Sequence, residues 1–143
     1  MVVAFVGKLL IAAFALASAW ALLDPQTTSH FTPLVDKALG NLQVPEIYRS
    51  QIRPFEPYVV QFHGALFALG GVFMILGALS SAAGKLSVSL LVIAITLNAI
   101  VFHPFWVATS AADQAQALLG FLQVTALVGA LFNFGFGKKQ DKQ

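Results

Sequence analysis

The chain has 143 residues, 58% of them hydrophobic and 10% charged, with no cysteine and a formal net charge of +2. Soluble chains carry roughly 25% charged residues, so too few polar groups remain here to cover a water-facing globule. The same counts exclude disorder, coiled coil, collagen and a disulfide scaffold, which leaves a membrane protein. The basic residues form no stripe in a polar surround of the kind nucleic acid needs. Lys138, Lys139 and Lys142 crowd the C-terminal end and read as a cytosolic- or matrix-side flank.

Charges divide the chain into spans. No Asp, Glu, Lys or Arg lies between Glu56 and Lys85, between Lys85 and Asp113, or between Asp113 and Lys138. A crossing helix needs about 20 apolar residues, so each interval holds one span. The first is expected near 3–23, the others near 58–79, 86–106 and 115–136. Lys8 interrupts the first span close to its end, where its side chain can snorkel. Lys8, the apolar run and Ala17-Ser18-Ala19 resemble a signal peptide, but the segment is read as a retained span. Trp20 and Asp24 close it.

The stretch 24–57 is the one long connection, and it carries Asp36, Lys37, Glu46, Arg49, Arg53 and Glu56. Pro33 is expected to start a short helix with a weak apolar edge of Leu34, Leu39 and Leu42. Pro45, Pro54 and Pro57 break up the rest of the stretch. Phe31, Tyr48 and Phe55 would anchor this segment at the interface; the alternative is a plain solvated loop. The segments 80–85 and 107–114 read as tight turns. The expected architecture is therefore one all-α membrane domain, a four-helix up-down bundle with a long, partly helical loop between spans 1 and 2. Five Lys against three Lys and Arg place both termini inside, toward matrix or cytosol.

Helices pack in membranes through small residues and polar contacts. Ala13, Ala17 and Ala21 recur at four-residue spacing in the first span, a close-approach stripe. His63, Gly70 and Gly77 share a face in the second, Ser89, Thr96 and His103 in the third, and Gln116, Gln123 and Ala130 in the fourth. These seams are expected to meet in the bundle. Asn98 lies off its seam and is a candidate to bond another helix or a partner.

Depth brings two histidines together. At 1.5 Å per residue, His63 and His103 both fall roughly 5–10 Å inside the same face, where Gln116 begins the fourth span. The plain reading has the imidazoles bonded to Gln116, backbone carbonyls or water, with no cofactor bound. Haem ligation by both histidines is chemically open to neutral imidazole, and so is a quinone or lipid head-group pocket. In Phe102-His103-Pro104-Phe105-Trp106 the aromatic residues suit the headgroup boundary. No phosphate loop, paired intramembrane carboxylates or zinc spacing occurs, and no acid lies mid-span to relay protons.

Several of these residues together form a familiar pattern. Gly7-Lys8 and Ser18-Ala19-Trp20, then Gly70-Gly71 with Gly77, then Phe102 to Trp106, resemble the DoxX-like superfamily. Ala126-Leu127-Val128-Gly129-Ala130-Leu131-Phe132 is similar to the last span of its plant HR-like lesion-inducing branch. The resemblance covers nearly the whole chain and implies a four-helix membrane protein, with Gly129 as a helix-packing residue. It also implies membrane partners of quinone-reducing oxidoreductases, cargo receptors or a link to cell death, according to the branch. Where many relatives carry a charge three residues before the paired glycines, this chain has Phe67, which points to a structural role.

The expected function is a non-catalytic accessory subunit of a larger membrane complex, respiratory or otherwise energy-transducing, with the mitochondrial inner membrane favoured and another organelle or a bacterial inner membrane as the alternatives. Its partners would be other membrane subunits and lipids. A redox protein handling quinone or haem through His63 and His103 is the alternative, and a lipid- or cargo-binding receptor is a third reading.

Overall fold

A computed structural model describes residues 2–77, 80–102 and 110–136. Every regular element among them is helical: α1 (Val2–Leu23), α2 (Pro25–Asn41), α3 (Glu46–Ile52), α4 (Glu56–Leu76), α5 (Ser81–Phe102) and α6 (Ala111–Phe136). A 3-10 turn, Arg53–Phe55, joins α3 to α4. Helices α1, α4, α5 and α6 are each long and apolar enough to cross a bilayer, which marks a multi-pass membrane protein. Two start earlier than the charge pattern suggests, α5 at Ser81 and α6 at Ala111. Ser110 caps α6: its hydroxyl accepts from the Asp113 amide at 3.1 Å and donates to the Asp113 carboxylate at 2.6 Å.

The long connection holds more helix than expected, and Pro33 does not start it. Asp24 is the N-cap of α2, accepting from the Thr27 amide and hydroxyl, both at 2.9 Å. Pro25 occupies the first turn, where a missing N–H costs nothing. Pro33 then sits inside α2 on its exposed side. The stronger start signal, a capping acid followed by proline, overrides the weaker one. Thr28 is buried, and its hydroxyl hydrogen is shared between the carbonyls of Leu22 at 2.7 Å and Asp24 at 2.9 Å. One side chain thus satisfies carbonyls left open at the end of α1 and hinges α2 back onto it. Tyr48 and Phe55 are exposed, as an interfacial anchor would be, but Phe31 turns inward to pack on the core.

The spans pack in chain order: α1 on α4, α4 on α5, α5 on α6, with α2 lying across α4, α1 and α5. Helix α4 is the hub because it carries glycines on two faces. A Cβ on Gly70 would stand 2.5 Å from Leu91 Cδ2, and one on Gly71 would stand 3.0 Å from Leu16 Cγ. Each glycine admits a leucine from a different neighbour, α5 on one side and α1 on the other. Across the α4–α5 contact the buried Ser87 hydroxyl donates to the Gly70 carbonyl at 2.7 Å.

Three of the four small or polar seams do not meet in this core. In α1 the buried row is Ala12, Ala15, Ala19 and Leu22, while Ala13 and Ala17 face outward. In α5 the buried residues are Ser87, Val88, Leu91, Ala94, Ile95 and Ala99, with Ser89 and Thr96 exposed. Gln116, Gln123 and Ala130 of α6 are exposed too. The reason is that an apolar helix with small residues on several sides has no intrinsic inside. The glycine notches of α4 choose which leucine rows dock, and that sets each neighbour's rotation.

Candidate functional site

Of the three residues singled out for binding, His63 is the one placed near the core. It is half-buried on α4, with its ring edge-on to Phe67 at a centroid distance of 5.2 Å. Its Nε2 is buried and has no hydrogen-bond partner among the described residues. His103 lies outside the described residues. Gln116 stands on the exposed side of α6, a helix that barely touches α4.

The α4–α5 crossing sets what His63 faces. Gly77 packs against Gly84 and Gly70 against Leu91. This antiparallel register brings His63 level with Asn98. No hydrogen bond joins them: Asn98 instead lines a cavity.

That cavity has a volume of about 220 Å³ and draws on five helices. Helix α1 contributes Phe14, Ser18, Ala21 and Leu22, and α2 contributes Phe31. Phe67 comes from α4, Ile95 and Asn98 from α5, and Val124 and Leu127 from α6. Phe14 and Phe67 meet edge to face at 6.4 Å and form one wall. The cavity exists because α6 packs chiefly on α5 and barely touches α1. It occupies the gap where a closed ring of helices would have joined. Ser18 and Asn98 are its polar lining groups, and neither finds a hydrogen-bond partner among the described residues. Sequence reading singles out Asn98, whereas Ser18 enters it only within the Ala17-Ser18-Ala19 and Ser18-Ala19-Trp20 motifs and with no binding role.

A second concentration of polar groups lies in the connection before α4. Asp36 on α2 faces Arg49 at 3.7 Å and Arg53 at 3.4 Å, and Arg53 also reaches Glu46 at 2.8 Å. Arg49 pairs with Glu46 as well. The guanidinium of Arg49 lies against Gly40, where an added Cβ would stand 3.1 Å away. Two acids and two bases thus neutralise one another and clamp α2 to the α3 segment. Nearby, Asp24 is held below the usual aspartate range, first by the Thr27 amide bond and then by the Thr27 hydroxyl. No group of three or more His, Asp or Glu side chains among the described residues could hold a metal ion.

The chain was compared with protein-family models, with curated proteins and with solved structures, and none of the three comparisons finds a match.

Proposed function

We propose that this chain is a non-catalytic accessory subunit of a larger membrane complex, its four spans running up and down as a bundle whose outer faces serve neighbouring subunits. The observation that carries the reading is the outward face of α6. Gln116, Gln123 and Asn133 are exposed there and have no hydrogen-bond partner among the described residues. Gln123 lies about 18 Å along α6 from its start, at mid-membrane depth. An amide that meets only lipid is costly, and membrane helices satisfy such groups across interfaces. Ala126 and Ala130 beside it are small enough for a second helix to come close. The outward Ala13–Ala17 row of α1 offers a similar surface.

The resemblance to DoxX-like proteins and the basic C-terminal flank support placing the complex in an energy-transducing membrane, the mitochondrial inner membrane first, with the termini toward the matrix. The test is native-gel migration of the full chain after mild-detergent extraction, with mass-spectrometric identification of co-migrating chains. Wild type is expected in a large, defined complex. Replacing Gln123 by Leu is expected to lower that fraction by the worth of one interhelical hydrogen bond, about 1 kcal/mol. Migration of the wild type as a free monomer would overturn the reading.

One observation favours the redox alternative, the buried, unpartnered Nε2 of His63. Under that reading His63 and His103 hold a haem or orient a quinone. A reduced-minus-oxidised spectrum of the purified protein decides it: no band in wild type, or a band that survives His63→Leu, ends the haem form. A quinone-dependent rate unchanged by the same substitution ends the other.

A further inference from the structure

The cavity between α1 and α6 has a composition that narrows what can fill it. Its walls are apolar apart from the Ser18 hydroxyl and the Asn98 amide, neither of which is bonded within the described residues. Ser18 and Asn98 are both half-buried, and an amide or hydroxyl that meets only apolar surroundings is costly, so these two groups call for an occupant with a hydrogen-bonding atom. The volume of 220 Å³ exceeds that of a ~150 Å³ apolar cavity known to admit a benzene-sized guest.

Position narrows the occupant further. Ser18 is five residues from the end of α1 at Leu23, and Asn98 of the antiparallel α5 lines the same cavity. At 1.5 Å per residue Ser18 lies roughly 8 Å below the end of α1. That is just inside the boundary of a ~30 Å hydrocarbon core, where lipid ester carbonyls meet the first methylenes. Phe31 of α2 lines the cavity from the connection side. The gap between α1 and α6, which barely touch, faces the bilayer. A molecule already dissolved in the membrane can enter there without crossing water.

We propose that this cavity binds an acyl lipid: the chain lies in the slot against Phe14, Phe67 and Leu127, and the acyl carbonyl accepts hydrogen bonds from the Asn98 amide and the Ser18 hydroxyl. A membrane phospholipid and a free fatty acid share that chemistry. The site is independent of the assembly reading, because it is complete within one chain and is tested on the isolated protein.

The experiment is photolabelling of the purified full-length protein in lipid nanodiscs, once with a diazirine fatty acid and once with a diazirine phosphatidylcholine, followed by peptide mapping. Label is expected on the cavity segments of α1 and α6. Asn98→Leu should reduce it about three- to tenfold, the weight of one buried hydrogen bond. Leu127→Trp, which fills the slot from α6, should abolish it while gel-filtration behaviour stays unchanged. Label from the fatty acid alone assigns the site to free acids, whereas label from both probes assigns it to acyl chains in general. Absence of cavity label with both probes, as a water-filled cavity would give, overturns the proposal. So does label spread over the outer faces and indifferent to both variants.

Discussion

At Gly70 a single methyl group decides how closely α4 and α5 can approach. Its missing Cβ is the space taken by Leu91, a side chain 1% exposed, and the carbonyl of the same glycine accepts from Ser87. Gly70→Ala is therefore expected to lower stability in detergent by about 1–3 kcal/mol, the usual cost of overpacking a tight contact. Gly129 is the matched control, because a Cβ there meets nothing within 4 Å. Gly129→Ala should be neutral or stabilise α6 by up to about 1 kcal/mol through helix propensity. Thermal denaturation of the two variants side by side checks both. Glycines at 70, 71 and 129 look alike in the sequence; which of them a neighbour presses on depends on helix rotations that no local pattern encodes.

Helix α2 shows the opposite case, an element whose start is written locally. Asp24-Pro25 carries both the cap and the first-turn proline, and Thr28 returns the chain onto α1. Because the folded state holds the Asp24 carboxyl below its ordinary range, the cap contributes in full above the unfolded aspartate value near pH ~3.9. Its contribution falls as pH drops through the lower folded value and is gone beneath it. Protection factors at the α2 amides, that is exchange rates corrected for their intrinsic pH dependence, are thus expected to hold at pH 5 and to fall on acidification below about pH 4. Asp24→Asn should keep the cap, since asparagine caps as well, and should flatten that pH dependence. Equal acid sensitivity in both proteins would show that Asp24 is not the group responsible. The Asp36–Arg49–Arg53–Glu46 cluster ties the second half of α2, beyond Pro33, to the α3 segment.

For the molecule as a whole, the outward surface is what the bilayer or a neighbouring subunit sees. Trp20 is 79% exposed near the end of α1, and Leu10, Phe62 and Tyr58 are similarly uncovered. With α1 spanning the bilayer, Trp20 is expected at the headgroup boundary. In a Trp106→Phe variant, lipids brominated near the top of the acyl chain should quench Trp20 fluorescence more than lipids brominated at its end. Equal quenching at both depths would contradict this placement. Among the described residues of α6 only Leu131 is buried, so this helix has the least to lose from exchanging lipid for protein contact.

Composition and charge spacing by themselves determined that the chain is helical, that it belongs in a membrane, and roughly where each long apolar helix lies. Those properties follow from run lengths of apolar residues, which the solvent reads one helix at a time. The rotation of each helix was decided only by tertiary structure. The rows through Ala13 and Ala17, through Ser89 and Thr96, and through Gln116 and Gln123 carry the right residue types for an interior and end outside. In water a polar residue marks the outside of a helix, but among apolar helices that signal is lost. What replaces it is the fit of Leu16 and Leu91 against the glycines of α4. The cavity was beyond the sequence for the same reason: its ten lining residues come from five helices, and they share a wall only because α6 stops short of α1.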